Sequence, residues 1–260
     1  MDAPVVVKFG GSAITDKKKI CTPRLDLIHR AVGEIASYRK PLILLHGGGS
    51  YAHPFATKSR IARSFRGRNG LEAISEIELN LDQLTRIIGV ALLLRHRPFV
   101  PIRPMSFMTL RGQDVGPCFL RPLTAALDRG VIPVIHGDLV VDERGGFGVV
   151  SADRIASLFA EKMPVSRVLF GCDVEGVYPN SKASTIVREV ARTNCSDLLK
   201  GIRESSFDAT GGMRGKVVEA LRLARRGVES YIFNLKDPSN LRRLLKGDSS
   251  VGTRFVPWNS

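Results

Sequence analysis

Four apolar runs in this chain share one construction: β-branched and aliphatic residues without polar alternation, ending in glycine or a small polar turn. They are PVVVKF before GGS (4–12), PLILLH before GGGS (41–50), RVLFG before CD (167–173), and VIPVIHGDLVVD (131–142), which reads as one strand carrying HGD. Short runs of this kind are strands buried on both faces. A strand buried on both faces and followed by a helix belongs in a mostly parallel sheet with helices on each side. FVPIRP (99–104) and ESYIFN (229–234) read as two further strands.

The segments between the runs supply the helices. Helical periodicity runs through 23–38, with Pro23 placed at a helix start, through 71–94, and through 119–130, stopped by Gly130. The second half continues the alternation, with helical patterns over 151–163 (Ser151 as N-cap), over 215–227 with a glycine stop, and over a short stretch in 237–247. The basic segment 58–70 reads as a loop. No Pro/Gly/Ser-rich linker and no internal repeat divides the chain. The expectation is one domain over 1–260, an open αβα sandwich with two lobes, about 1–165 and about 166–260.

Composition narrows the function classes. Cys21, Cys118, Cys172 and Cys195 show no CxxC spacing, so neither a zinc site nor a disulfide framework is indicated, and a reducing cytoplasmic setting is expected. The longest apolar patch, IIGVALLL, is well short of the roughly 20 residues of a membrane span. Thirty-nine Lys and Arg against 25 Asp and Glu give a net charge of +14, but the basic residues are spread along the chain. Without an arginine-rich tail or aromatic-interleaved motif, that charge points to small phosphorylated ligands rather than to nucleic acid.

Open parallel sheets bind ligands at the carboxyl ends of their strands, and several strand ends here are glycine turns. KFGGS (8–12) joins Lys8 to Gly10 and Gly11, with Ser12 placed to cap the next helix; the next turn is Gly47–Gly49, followed by His53. HGD (136–138), GCDVEGVY (171–178) and DATGGMRGK (208–216) complete the set. Bare backbone N–H groups at such turns cradle anions. Neither GxxxxGK[ST] nor GxGxxG occurs, so the P-loop and Rossmann readings fail. Several anion cradles with separate lysines suit phosphoryl transfer, whose catalysis is positioning and charge neutralisation. Lys8, Lys17 and Lys216 can converge only through folding, and Asp153 is suited to hold them by pairing. His29, His46, His96 and His136 read as structural.

Taken together, VVKFGGSAITDK, LLHGGGSYAHP, VIPVIHGD, SADRIA, CDVEGVY and DATGGMRGK resemble the amino acid kinase superfamily, and within it the isopentenyl phosphate kinases. The likeness runs in collinear order from Val5 to Gly252-Thr253. It implies an N-terminal lobe for a phosphate acceptor, a C-terminal lobe for ATP, and transfer of the γ-phosphoryl of ATP to isopentenyl phosphate. By motif, Lys8, Gly10, Gly11 and Ser12 would line the ATP phosphates. Lys17 and Lys216 would neutralise the transition state from the acceptor and nucleotide sides, and Asp153 would organise Lys8 and Lys216. Gly48 would meet the acceptor phosphate, Gly49 the transferred one, and His53 would hydrogen-bond the acceptor. Gly137 would belong to the same acceptor site. Asp173, Gly176, Val177, Tyr178, Gly211 and Met213 would surround the nucleotide, and Ile74, Ile77, Leu81 and Phe107 would line an alkyl pocket. Mg²⁺ is implied with ATP, without a named protein ligand, and a homodimer is implied by the superfamily. Ala52 and Ala152 stand where the family commonly has glycine, close to the acceptor phosphate. The related fosfomycin kinases share the histidine and the glycine turns, and MTLRG (108–112) loosely resembles them, whereas HGD and TGGM lean to the isopentenyl phosphate side; a phosphonate kinase is one alternative. A non-catalytic nucleotide or amino-acid sensor on the same fold is another.

Overall fold

The apolar runs fold as strands and the periodic segments as helices in the computed structural model, which describes residues 2–58, 68–112, 114–202 and 212–258. The strands are β1 (Val5–Phe9), β2 (Leu42–His46), β3 (Phe99–Pro101), β4 (Met108–Arg111), β5 (Asp114–Cys118) and β6 (Ile132–His136) in the first half. They continue with β7 (Asp138–Val141), β8 (Phe147–Val150), β9 (Arg167–Cys172), β10 (Glu189–Val190), β11 (Glu229–Asn234) and β12 (Thr253–Phe255). The helices are α1 (Gly11–Ile14), α2 (Leu25–Ala36), α3 (His53–Lys58), α4 (Arg68–Leu93), α5 (Arg121–Leu127), α6 (Ala152–Lys162), α7 (Cys195–Gly201), α8 (Gly212–Arg225) and α9 (Asn240–Leu245).

One eight-stranded sheet runs in the order β10-β12-β11-β9-β1-β2-β6-β3, parallel throughout except where β11 meets β12. Strand alternation sorts its side chains into two layers. Val5, Val7 and Phe9 of β1 join Leu42 and Leu44 of β2 under α2, α4 and α9. Val6, Ile43 and Leu45 face the opposite layer, built from α5, α6, α7 and α8. Lys8 is two residues beyond Val6 and shares its face, which aims a lysine into the gap between α6 and α8. After β1 the chain builds towards β2, β6 and β3; after β9 it builds towards β11, β12 and β10. The order therefore reverses between β1 and β9, where a crevice opens at the carboxyl ends.

Several expectations change in detail. The single strand read over 131–142 is two: β6 ends at His136, and β7 leaves the sheet to form a hairpin with β8. Gly137 is the pivot, because a Cβ there would lie 2.8 Å from the Ala152 nitrogen. Pro23 does not open α2; it forms an isolated bridge with Thr15, and the helix starts at Leu25. The end of the predicted loop 58–70 is helical, since α4 begins at Arg68. Ser12 does not cap a helix: Gly10 holds that position and Ser12 lies inside α1. Ser151 does cap α6, its hydroxyl accepting from the Arg154 N–H at 3.1 Å. The β4–β5 hairpin had no sequence counterpart, because DVGPC carries Gly116 and Pro117 inside the strand.

Candidate active site

At the reversal point the first two glycine turns touch backbone to backbone. A Cβ on Gly11 would lie 2.3 Å from the Gly49 nitrogen, and one on Gly10 would lie 2.6 Å from the Gly171 oxygen. Gly49 also has φ +51°, and its Cβ would strike the Thr15 hydroxyl at 2.2 Å, so it is held to glycine twice over. Thr15 latches the two turns: its hydroxyl donates to the Gly11 carbonyl (2.7 Å) and accepts from the Ser50 N–H (3.0 Å). Sequence reasoning passed over Thr15. Its only signal is a threonine four residues beyond a strand-end glycine, within reach of that carbonyl.

Beneath these turns lies a buried charge cluster. Lys8 from β1 and Lys216 from α8 each place their ammonium 2.8 Å from a different oxygen of Asp153, in the first turn of α6. The Lys216 contact is an aligned hydrogen bond, whereas the Lys8 contact is an ion pair without that alignment. All three residues are at most 8% exposed. Burial pushes Lys8 down to about 8, against the pull of Asp153 and helped by the neighbouring Lys216. Burial acts the same way on Lys216, but the Asp153 carboxylate outweighs it and holds that ammonium above the ordinary lysine value. Burial would raise the Asp153 carboxyl; the two lysines outweigh it and hold it well below the usual carboxylate range. Two cations sharing one anion leave one net positive charge, held in place and largely dry.

A second, more exposed pair crosses the crevice. The Ser12 hydroxyl donates to Asp173 Oδ1 (2.9 Å), and the Lys17 ammonium lies 3.5 Å from Oδ2. Burial pushes the Asp173 carboxyl up, but the Ser12 hydroxyl and the Lys17 charge outweigh it and hold it low. Lys17, expected on the acceptor side, thus reaches across to the carboxyl end of β9.

On the other flank, Gly48 faces an apolar group. Its Cβ would meet the Ala52 methyl at 2.4 Å and Leu81 at 3.0 Å. Leu81, Ile77 and Ile74 of α4 cluster with Ala73 and Leu139, and Ala52, Phe55 and Phe147 pack against them. Phe107 is not among them; it lies in the main core with its ring centroid 6.1 Å from that of Phe159. The methyl of Ala52 serves this cluster, and Ala152 is buried in the main core. Half-buried His53 opens α3 beside Ala52. His46 is a neutral, internal group: burial first, then His136 and Lys8, push it down to about 3 against the Gly47 carbonyl, and its Nε2 lies 2.9 Å from the Thr85 hydroxyl.

The residues expected around a nucleotide are only partly gathered. A Cβ on Gly176 would lie 2.6 Å from the Thr253 hydroxyl, and Val177 is fully buried with its N–H donating to that hydroxyl (2.8 Å) and its carbonyl accepting from Val187 (2.8 Å). Val177 therefore buttresses the loop from behind. Tyr178 and Met213 are half-buried, Met213 against the core. Gly211 lies outside the described residues.

The amino acid kinase family profile matches residues 3–234. An isopentenyl phosphate kinase of Methanothermobacter thermautotrophicus is 32% identical, over 97% of this chain and 98% of its own length. The corresponding enzyme of Methanocaldococcus jannaschii is 29% identical over 94% of this chain and 95% of its own. A solved isopentenyl phosphate kinase superposes with a TM-score of 0.82 at 30% identity, covering 97% of this chain and 99% of the other. With a family profile over residues 3–234 and relatives matched over nearly their whole length, the chain belongs to the amino acid kinase family, in its isopentenyl phosphate kinase branch.

Proposed function

We propose that the chain transfers the γ-phosphoryl group of ATP to isopentenyl phosphate, giving isopentenyl diphosphate and ADP. The observation that carries this reading is Asp153 bridging Lys8 and Lys216 beside two glycine turns packed backbone to backbone. An oxygen of the acceptor phosphate attacks the γ-phosphorus, and the bond to the β–γ bridging oxygen breaks. Negative charge spreads over the transferred group and the β-phosphate of the leaving ADP. Lys8 and Lys216 meet that charge with ammonium groups already oriented and desolvated, so little reorganisation is needed as it develops. Lys17 serves the same charge from the crevice mouth, leaving Asp173 when substrate is bound.

In this reading Gly10, Gly11, Ser12 and Asp173 hold the ATP side, with Gly176, Tyr178 and Met213. Gly48, His53 and Gly137 hold the acceptor phosphate, and Ile74, Ile77 and Leu81 receive its alkyl chain. The first lobe, about 1–165, takes the acceptor and the second, about 166–260, the nucleotide. Both nearby carboxylates, Asp153 and Asp173, are already engaged by cations or a hydroxyl. That donor set fits Mg²⁺ carried by the nucleotide phosphates with few protein ligands. A homodimer is part of the proposal, supported by exposed Leu79, Val90 and Leu93 on α4 and Leu94 just beyond its end. Free cysteines at all four positions support a reducing, cytoplasmic setting. Among the described residues no helix is long and apolar enough to cross a membrane.

The test is an acceptor panel with ADP release and product identification. Isopentenyl phosphate should be turned over much faster than fosfomycin or N-acetylglutamate. Faster turnover of the phosphonate would move the assignment to the phosphonate kinases, and no ATP turnover with any acceptor would leave the sensor reading.

A further inference from the structure

Behind the apolar cluster the structure buries three groups that the phosphoryl-transfer site does not use. Glu78 interrupts the inward face of α4, between Ile74 and Ile77 on one side and Leu81 and Thr85 on the other. His136 ends β6 and Asp138 opens β7, on either side of the Gly137 pivot. Their side chains are 11%, 2% and 0% exposed. Buried carboxylates persist only where something compensates them.

The hydrogen bonds account for one half of each group. His136 Nδ1 lies 3.2 Å from the Gly137 carbonyl, so that nitrogen carries the proton and Nε2 presents a lone pair. Asp138 Oδ1 accepts from the Leu139 N–H at 2.7 Å. Glu78 Oε2 lies 3.8 Å from the half-exposed Arg103 guanidinium, which also pairs with Asp82. The other halves, Glu78 Oε1, His136 Nε2 and Asp138 Oδ2, have no hydrogen-bond partner among the described residues. One ligand atom from each residue lies within 4.8 Å of the others. Three buried residues meet here, each with one acceptor atom that lacks a donor, an arrangement that a cation or an added proton compensates.

We propose that Glu78, His136 and Asp138 form a site for one divalent transition-metal ion of the zinc class, which staples α4 to the ends of β6 and β7. The donor set is one imidazole nitrogen and two carboxylate oxygens, which suits such an ion and leaves a further position for water. An imidazole whose other nitrogen donates to a backbone carbonyl has the orientation and tautomer of a metal ligand. Bonds of about 2.0–2.2 Å require the three side chains to draw in by roughly 1 Å, a rotamer adjustment rather than a backbone shift. Without the ion, an added proton takes its place, because burial and the neighbouring Glu78 push the Asp138 carboxyl up to about 9. Because Ile77 and Leu81 flank Glu78 and Leu139 follows Asp138, the ion fixes the wall of the apolar cluster. The site stands whether or not isopentenyl phosphate is the acceptor.

The full-length protein is stripped with chelator and titrated with Co²⁺ and Zn²⁺. We expect one equivalent per chain by elemental analysis and Co²⁺ d–d bands of a low-coordinate site. The thermal midpoint should rise by about 5–10 °C when free ion exceeds the dissociation constant a hundredfold. Loss of an outer partner alone costs 10–100-fold in affinity, so Glu78→Gln and Asp138→Asn should each weaken binding by at least about 100-fold. A wild-type protein without Co²⁺ bands or a midpoint shift overturns the proposal. So does binding that neither substitution changes, which would place the ion at an adventitious surface site. A substitution that raises the metal-free midpoint and leaves Co²⁺ affinity intact would mean that the carboxylates only share a proton.

Discussion

Replacing Asp153 with asparagine keeps the side chain's shape and removes the one anion between two buried ammonium groups. Each ammonium lies 2.8 Å from a carboxylate oxygen, a gross attraction of about 6 kcal/mol per contact at an effective dielectric near 20. Desolvation of the three charges offsets most of that sum, and breaking a buried ion pair costs about 3–5 kcal/mol net. Asparagine still offers one oxygen, so a loss of about 3–4 kcal/mol is expected, or roughly 10 °C in thermal midpoint for a chain this size. The pH dependence is the sharper signature. In the wild type Lys8 titrates near 8 in the folded protein against 10.5 when unfolded, so the unfolded chain binds more protons above 8 and stability rises with pH there. Without the carboxylate the folded Lys8 loses its proton at still lower pH, and the variant's rise begins earlier. The gap between wild type and variant should therefore narrow between about pH 7 and 9. Ligand-free denaturant melts across that range measure it. A loss below about 1 kcal/mol, or a gap constant with pH, would refute the claim that Asp153 compensates both lysines.

Three further outcomes follow from the same geometry. With Lys8 titrating near 8 and needed as a cation, kcat/KM for ATP should fall as pH rises through about 8, and Lys8→Arg should remove that limb; an unchanged limb would assign it to another group. Gly49→Ala and Gly130→Ala both place a methyl at positive φ, but only Gly49 has neighbours in the way. Denaturant melts should show about 1 kcal/mol lost at Gly130 and at least about 3 at Gly49, and equal losses would contradict the backbone packing of the two turns. Lys17 is 65% exposed, so Lys17→Ala should change stability by less than about 0.5 kcal/mol while slowing turnover at least about tenfold. Unchanged turnover would remove Lys17 from the site.

Much of the fold was legible because buried parallel strands leave a plain mark: VVVKF and LILLH are short, mostly apolar runs stopped by glycines, and VLF runs into Gly171. Lys8 and Lys216 stood out because each lies beside paired glycines, in KFGGS and DATGGMRGK. Alternation placed Lys8 with Val6, and the layer it faces is the one that carries Asp153 and Lys216. What stayed hidden depends on contacts between distant segments. Thr15 is an ordinary polar residue until Gly11 and Ser50 close on it. Val177 looked like a nucleotide contact, yet its backbone is spent on Thr253 and Val187. Glu78 sits among helical apolar positions, and only its meeting with His136 and Asp138 gives that position meaning. Strand ends were misjudged where one backbone pivot decides, as at Gly137.

The most direct test is the single-turnover rate of phosphoryl transfer, measured by rapid quench, in the wild type and in Lys216→Met. A buried ammonium that stabilises the migrating phosphoryl group should cost at least about 100-fold in that rate when removed, with ATP affinity changed only a few-fold. A transfer rate within about threefold of the wild type would contradict the account, because the buried lysine pair would then be packing rather than chemistry.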